Sequence, residues 1–368
     1  MQATVSQRNE TRASLYVPAI DGLRFLAILL VFLHHSSLPA GWNVAQHLAS
    51  RGWIGVEIFF AISAFLLFRL LQMEAELRGS ISAGTFYARR LLRIYPLMII
   101  FPIAMLCIFG PGGPFWAQRL AGIGLGLDNF LCWIRGYDTD VPYSAHLWTL
   151  SYEFQFYLVL PLAFIALRKL RNHGIAAALL GVELFALVAR WTFATIGAPH
   201  PIIWVTPFLR PESTLIGIAI AIWQPRIPPL VSVVVLVAAS AALLAGPGGE
   251  EIGNWTVAIY LFAGAVSGSM LLLALESTAL VRVLSSRPIA YLGRISFGLY
   301  VYHLLAIGLA AQILSAASPT SDETIVRCAV IALSLALTVA MAVTSYYLLE
   351  RPFLRIKDRL AVIGGRPI

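Results

Sequence analysis

Apolar windows of about 20 residues recur along the whole chain, and each is long enough to cross a bilayer as an α-helix. With 59% hydrophobic and only 12% charged residues, the chain is unlike a soluble domain, in which about a quarter of the residues are charged. The sequence predicts an all-α fold, a polytopic transmembrane helical bundle of about ten spans. The predicted spans are residues 19–38, 53–72, 91–110, 147–168, 174–196, 207–224, 229–245, 254–275, 289–314 and 325–349.

One further apolar stretch, residues 115–133, is rich in glycine and is interrupted by Arg119 and Asp128. We expect it to form a partly buried or re-entrant segment. An eleventh span here would move every later loop to the opposite side of the membrane. The basic residues would then no longer follow the charge pattern described next.

Basic residues are distributed unevenly between the two sides that ten spans define. With the N-terminus inside, 20 of the 26 Lys and Arg residues fall on the cytoplasmic side, which is the bias that the positive-inside rule describes. The net charge of +8 therefore has a topological explanation and indicates no nucleic-acid partner. The predicted organisation is a cytoplasmic tail at 1–18, a transmembrane domain at 19–352 and a basic cytoplasmic tail at 353–368.

The cysteines give no sign of a disulfide framework or a metal centre. Cys107, Cys132 and Cys328 lie in or beside apolar segments, at no spacing typical of metal ligands. Free cysteines of this kind pack as small apolar residues. We predict no metal and no permanently bound cofactor.

The first span carries ionisable side chains at Asp21, Arg24, His34 and His35. On an α-helix Arg24 and His35 lie on nearly one face, roughly 16 Å apart, whereas His34 points about 100° away. Ionisable groups at such depth are costly and mark functional sites. The structural alternative is that Arg24 pairs with Asp21 one turn away while the histidines cap the helix end.

The second span places Glu57 near its outer end, at about the depth of His35. A carboxylate beside a histidine fixes its tautomer and raises its basicity, as a general base requires. We therefore predict that Glu57 orients His35. The alternative is that Glu57 lies at the membrane interface and only caps its helix.

Arginines and polar residues mark two further spans. Arg90 and Arg93 are three residues apart and share a helical face, where paired guanidiniums suit either phosphate oxygens or lipid headgroups. Residues 146–161 carry Ser151, Glu153 and Gln155 into the bilayer together. Such groups need polar partners or water, so the sequence predicts a cavity there.

These segments resemble the motifs of the prokaryotic integral membrane acyltransferases of family three. The matching stretches are DGLRFLAILLVFLHH, WIGVEIFFAISAFLL, FYARRLLRIYP, HLWTLSYEFQFY and YLGRISFGLYVYHLL, followed by LLERPF. They occur in the family's order from about residue 18 to 355. Glu57 stands where the family has Asp, Ala64 where Gly is usual and Tyr302 where Trp is common.

The resemblance, combined with the charge pattern, assigns roles to particular residues. The predicted catalytic residues are His35, Glu153 and Glu57. The predicted acyl-CoA-binding residues are Arg24, Arg90, Arg93 and Arg294. The predicted supporting residues are Asp21, Ser63, Tyr95, Ser151, Tyr300 and His303, of which His303 has a plain packing role as its alternative.

The resemblance implies an O-acyltransferase of the bacterial inner (cytoplasmic) membrane. It would move an acetyl or other small acyl group from cytoplasmic acyl-CoA to a hydroxyl of a surface or exported carbohydrate, such as a polysaccharide, O-antigen or glycolipid. His35 would either deprotonate the acceptor hydroxyl or carry the acyl group itself. The alternatives are acylation of a lipid-linked or small hydroxylated metabolite, and a glycan transporter or export subunit without enzymatic activity.

The charge bias predicts that both termini are cytoplasmic. An epitope tag at either end should react with antibody only after the inner membrane of spheroplasts has been permeabilised. A C-terminal tag that is labelled in intact spheroplasts would contradict the predicted orientation.

Overall fold

The computed structural model describes residues 15–137, 140–247, 253–317, 322–360 and 363. Helices dominate these residues and no strand occurs among them, so the all-α prediction is confirmed. Most of the predicted N-terminal tail, residues 1–14, lies outside the described residues. Residues 361–362 and 364–368 of the predicted C-terminal tail lie outside them as well.

The helices follow one another along the chain with short connections. They are α1 Pro18–His35, α2 Asn43–Ser50, α3 Ile54–Arg78, α4 Ala83–Phe109, α5 Trp116–Leu125, α6 Asp128–Arg135, α7 Trp148–Leu167, α8 Asn172–Thr195, α9 Ile202–Val205, α10 Glu212–Trp223, α11 Pro229–Ala245, α12 Asn254–Glu276, α13 Thr278–Leu284, α14 Arg287–Arg294, α15 Ser296–Ala317, α16 Glu323–Ser345 and α17 Arg351–Arg359. Single 3₁₀ turns occur at Ala145–Leu147 and Pro207–Leu209, and a π turn at Tyr346–Glu350 joins α16 to α17.

Eight helical segments of the described chain are long and apolar enough to cross a membrane, and the protein is therefore a multi-pass membrane protein. The predicted spans at 207–224 and 229–245 instead form the shorter helices α10 and α11, of 12 and 17 residues. Pro207 and Pro211 keep the residues before α10 out of an α-helix. Irregular backbone at membrane depth is tolerated where protein buries it, and Leu209 and Arg210 in this segment are buried.

Residues 115–133 do not form a span. Within them the chain folds into α5 and the start of α6, short helices that Gly126 separates with a left-handed φ of 69°. Neither helix is long enough to cross a bilayer. The expectation of a partly buried segment agrees with the buried side chains of Arg119, Ile123 and Asp128.

The first helix lies at the centre of the bundle. Helix α1 packs against α3, α12, α13, α14 and α15. Gly55 of α3 lies against the backbone of Ala27, and Gly293 of α14 lies against the backbone of Asp21, so that a Cβ at either glycine would overlap a carbonyl oxygen. This close packing fixes the helix that carries Arg24 and His35.

Buried ion pairs connect the other helices. Arg210 pairs with Glu57 at 2.7 Å, Arg190 with Glu212 at 2.5 Å and Arg119 with Asp128 at 3.2 Å. All of these side chains are at most 3% exposed. Arg119, Arg190 and Arg210, which the charge pattern assigns to the outside, are therefore buried within the protein.

Arg210 has the most elaborate surroundings of these cations. Its guanidinium donates to the Trp204 carbonyl at 2.6 Å and lies 5.0–5.6 Å from the ring centroids of five aromatic side chains. Such rings stabilise a desolvated cation through their negative faces. These rings belong to Phe60, Trp148, Tyr152, Trp204 and Tyr260.

Removing one partner of the Glu57–Arg210 pair should destabilise the fold strongly. Glu57→Ala leaves a buried guanidinium without its carboxylate, a loss of about 3–5 kcal/mol. The matched control is Glu323→Ala, which breaks an exposed pair worth at most about 1 kcal/mol. Urea or thermal unfolding in detergent should separate the two variants clearly; equal stability of Glu57→Ala and Glu323→Ala would show that the buried pair contributes little.

Candidate active site

A cavity lies between α1, α3, α4, α7 and α15, and α17 contributes one lining residue. It holds about 1240 Å³ of space free of protein atoms, including open solvent. Cationic side chains line it together with apolar ones such as Phe59, Leu66 and Ile94. Thr149 and Tyr300 line it as well. A cavity of this composition suits an elongated ligand that has an anionic group and an apolar arm.

The cationic wall combines residues from three helices. Arg24 comes from α1, Arg90 and Arg93 from α4, and Lys357 from α17. Arg24 lies 3.6 Å from Asp21, so the Arg24–Asp21 pair given above as the structural alternative does form. Arg24 also lines the cavity. The arginines act electrostatically on one another, and Arg93 acts on Lys357.

Glu153 of α7 is held in the cavity wall by two hydroxyl groups. The Ser63 hydroxyl donates to Oε1 of Glu153 at 2.7 Å, and the Tyr157 hydroxyl donates to the same oxygen. The structure thus brings together two residues that the sequence analysis singled out on separate spans. Their neighbour Tyr157, one helical turn along α7, completes the group.

A pair of hydroxyl groups lies where the cavity approaches the buried histidines. The Thr149 Oγ1 and Tyr300 hydroxyl oxygens are 2.6 Å apart. The backbone carbonyl of His146 lies 3.1 Å from Thr149 Oγ1 and 2.9 Å from the Tyr300 oxygen. Each hydroxyl has a single proton, so one hydroxyl donates to the other and the second donates to this carbonyl. The hydroxyl pair therefore connects the cavity wall to the backbone of His146.

Behind this pair lies a row of histidine side chains, His146, His303 and His35. The ring centroids of His146 and His303 are 4.8 Å apart, and those of His303 and His35 are 5.0 Å apart. His303 is fully buried and His146 is 4% exposed, whereas His35 is exposed at the end of α1. The row therefore connects the neighbourhood of the cavity to an accessible imidazole.

Backbone carbonyls fix the tautomers of two of these histidines. Nδ1 of His35 lies 2.9 Å from the Val31 carbonyl, and Nδ1 of His303 lies 2.5 Å from the Tyr300 carbonyl. A carbonyl only accepts, so both Nδ1 atoms carry hydrogen. Nε2 of His303 lies 3.3 Å from Nδ1 of His35 and is a second, longer acceptor for the hydrogen that Nδ1 directs to the Val31 carbonyl. Nε2 of His35 is left with a lone pair and can act as a base.

The prediction that Glu57 orients His35 is wrong. Glu57 is bonded to Arg210, and the side chain that contacts Nδ1 of His35 is His303, 268 residues further along the chain. The physical reason is charge: a buried carboxylate is stabilised by a full cation far better than by a neutral imidazole.

Other predicted site residues make contacts within the fold. The hydroxyl of Ser151 accepts from the Asp128 backbone N–H at 3.2 Å, and the hydroxyl of Tyr95 donates to the Gly124 carbonyl at 3.0 Å. Arg294 ends α14 and is not one of the described residues that line the cavity.

The sequence analysis missed His146, Thr149 and Lys357. His146 is the first residue of the HLWTLSYEFQFY segment, and a histidine at the outer end of a predicted span is the signal that could have found it. Lys357 falls in the predicted basic tail, but α17 packs against α4 and brings this residue to the cavity.

Comparison with known proteins identifies the family of the chain. A family model for the acyltransferase domain matches residues 17–343. The chain belongs to this acyltransferase family. The match spans the first five stretches quoted above and ends before LLERPF, and the resemblance seen in the sequence is confirmed. No solved structure matches the chain significantly.

The curated relatives of this acyltransferase domain are O-acetyltransferases by name. A provisionally named O-acetyltransferase from Staphylococcus aureus strain COL is 24% identical over 96% of this chain and 59% of its own length. The peptidoglycan O-acetyltransferase OatA of Listeria monocytogenes is 24% identical over 92% of this chain and 56% of its own length. OatA of Staphylococcus aureus is 25% identical over 78% of this chain and 50% of its own length. The chain thus spans between half and three fifths of the length of these relatives.

The two adjacent histidines should differ in their effect on acyl transfer. His35→Ala removes the accessible base, so the rate should fall by about 10²- to 10⁴-fold. His34→Ala removes a hydrogen bond to the Ala49 carbonyl, and the rate should fall by less than about tenfold. Transfer of label from radiolabelled acetyl-CoA, measured on variants with unchanged melting temperatures, checks this. Equal losses of rate in the two variants would mean that the position of His35 in the histidine row does not matter for catalysis.

Proposed function

We propose that this protein is an O-acyltransferase of the bacterial inner membrane. It moves an acetyl or other small acyl group from cytoplasmic acyl-CoA to a hydroxyl of a surface or exported carbohydrate. One observation carries the proposal: a cavity lined by Arg90 and Arg93 extends to Tyr300, next to a histidine row that ends at the exposed His35.

The donor's chemical groups match the side chains that line the cavity. Coenzyme A carries phosphate groups at one end and a thiol at the other, joined by a long pantetheine arm. Guanidiniums bind phosphate oxygens through charge-assisted, often bidentate hydrogen bonds. We therefore assign the phosphates to Arg24, Arg90 and Arg93, with Lys357 added, and the arm to the apolar lining residues. Arg294 is left out of this assignment because it does not line the cavity.

In this proposal the thioester approaches the histidine row when the Thr149–Tyr300 pair opens. Nε2 of His35 then takes the proton of the acceptor hydroxyl, whose oxygen attacks the thioester carbonyl while the C–S bond breaks. In the second route His35 takes the acyl group first and passes it to the acceptor. The fixed tautomer of His35 serves both routes equally.

An exposed aromatic side chain is compatible with a carbohydrate acceptor. Tyr137 is 37% exposed, and its ring lies 6.3 Å from the buried Trp148 ring and 5.6 Å from His200. Flat apolar rings with a few polar groups are typical of small-molecule sites. The names of the relatives, which include a peptidoglycan O-acetyltransferase, support the same acceptor class.

Two experiments test the proposed function. Purified protein in lipid nanodiscs should transfer radiolabel from acetyl-CoA to envelope glycans, and mass spectrometry of surface glycans should show fewer acetyl groups in cells without the gene. If acetyl-CoA labelled only a lipid-linked or small metabolite, that metabolite would be the acceptor and the envelope glycan would not. The absence of both transfer and donor hydrolysis would favour a transporter.

The arginine pair of α4 should determine donor affinity. Each guanidinium contributes charge-assisted hydrogen bonds of about 1.5–3 kcal/mol, so Arg90→Ala should weaken acetyl-CoA binding roughly 10- to 150-fold. Arg93→Lys should restore little of the donor affinity, because the point charge of an ammonium group does not reproduce the planar, bidentate guanidinium.

The matched control for this experiment is Arg294→Ala, which should leave donor affinity unchanged. Calorimetry with acetyl-CoA in detergent measures all three variants, and thermal melting checks their folds. If only Arg294→Ala weakened binding, the donor site would lie near α14 and the assignment to the cavity would be wrong.

A further inference from the structure

One face of α7 runs along the cavity. Thr149, Glu153 and Tyr157 are spaced four residues apart on this helix, and all three line the cavity. Residues four apart are separated by roughly 6 Å along the axis of an α-helix. The three side chains therefore mark successive positions along the cavity wall.

The cationic side chains of the cavity lie at the Tyr157 end of this face. Those that act electrostatically on the Tyr157 hydroxyl are Arg24, Arg90 and Arg93. The Tyr87 hydroxyl, one turn before Arg90, donates to the Leu158 carbonyl at 3.0 Å, so this part of α4 contacts α7 next to Tyr157. The side chains to which we assign the donor's phosphates are therefore near Tyr157.

The other end of the face is at Thr149, whose hydroxyl oxygen lies 2.6 Å from that of Tyr300. Two charged side chains of the described chain act electrostatically on the Tyr300 hydroxyl, Glu153 and Arg210. Arg210 is not one of the lining residues and is already paired with Glu57. The charge that the cavity presents at its Tyr300 end is therefore the negative charge of Glu153.

The two carboxylate oxygens of Glu153 have different surroundings. Oε1 accepts from the hydroxyls of Ser63 and Tyr157, and hydrogen bonds of this kind stabilise an ionised carboxylate. No group in the described part of the chain donates to Oε2. Because the side chain is half-buried and lines the cavity, Oε2 is the oxygen that a ligand in the cavity meets.

Binding of the donor changes the charge balance around Glu153. In the structure its carboxylate acts electrostatically on Arg24 and Arg90, which compensate its charge. In the proposed complex these guanidiniums bind the phosphates of coenzyme A instead. The carboxylate then keeps its charge and loses most of this compensation, one helical turn from the Thr149–Tyr300 pair to which the thioester is assigned.

We infer that Glu153 determines which acyl groups the cavity accepts, by their charge. This inference rests on the proposed function. An acyl group with a terminal carboxylate, such as malonyl or succinyl, is repelled by Oε2, whereas an uncharged group such as acetyl meets no such repulsion. Two like charges about 6 Å apart in a protein repel strongly enough to weaken binding about 100-fold.

The alternatives are that Glu153 is a general base, or that it only joins α7 to α3 through Ser63. Loss of a base that acts on the acceptor would lower the rate with every donor by the same factor. Loss of a structural link would not distinguish one donor from another either. Discrimination between donors is therefore the readout that separates the three roles.

The test compares two donors of nearly the same shape. Malonyl-CoA ends in a carboxylate, and acetoacetyl-CoA has a methyl ketone in the same place. Calorimetry on the purified protein in detergent, without acceptor, measures both affinities. We expect acetoacetyl-CoA to bind about 100-fold more tightly than malonyl-CoA. Equal affinities would overturn the inference.

Variants show whether this discrimination comes from the charge of Glu153. Glu153→Gln removes the charge and keeps the shape, so the affinity ratio should fall to about threefold or less, whereas Glu153→Asp should keep it above about tenfold. Ser63→Ala is the matched control, because it removes a hydrogen bond to Oε1 and leaves the charge. Its ratio should stay near that of the wild type.

The variants can also contradict the inference. A ratio of about 100 in Glu153→Gln would show that the charge of Glu153 is not the cause. Loss of the ratio in Ser63→Ala would show that local geometry, and not charge, discriminates between the donors. Glu153→Met is also uncharged, and it repeats the test if Glu153→Gln melts at a lower temperature than the wild type.

Failure of the proposed function gives a different result. If coenzyme A and its acyl derivatives do not bind, or if Arg90→Ala leaves their binding unchanged, the donor does not occupy this cavity and both proposals fail. If Arg90→Ala weakens acetyl-CoA binding but malonyl-CoA and acetoacetyl-CoA bind the wild type equally, the donor assignment stands and only the role of Glu153 is wrong.

Discussion

A charged side chain inside a membrane protein persists only where other groups compensate its charge, and this constraint organises the whole structure. Arg210 is the strongest example, since Glu57, a carbonyl and five aromatic rings surround its guanidinium. Arg190 is compensated in the same way by Glu212 and by the Leu209 and Val257 carbonyls. These contacts join α3, α8, α10 and α12, so that the short, irregular entry into α10 is stable at membrane depth.

The same constraint distinguishes structural charges from functional ones. Arg210 and Arg190 are enclosed by their partners, whereas Arg90 and Arg93 line a cavity.

The sequence predicts the features that depend on local periodicity. Hydropathy places most of the helices, the spacing of Arg24 and His35 places both on α1, and the spacing of Arg90 and Arg93 places both at the cavity. The sequence does not predict contacts that depend on which helices are neighbours. The partner of Glu57 and the partner of His35 both come from distant segments, and no periodicity within one helix identifies them. Lys357 was missed for the same reason, since only the packing of α17 on α4 brings it to the cavity.

The proposed function requires that one cavity receive the acyl donor, with its phosphates at the arginines and its thiol near the histidine row. A structure of the protein in nanodiscs with bound coenzyme A, determined by electron cryomicroscopy, tests this most directly. We expect phosphate density within hydrogen-bonding distance of Arg90 and Arg93, and the thiol beside Thr149 and Tyr300. Coenzyme A bound on the face that exposes His35, or phosphates held elsewhere than at this arginine pair, would contradict the account.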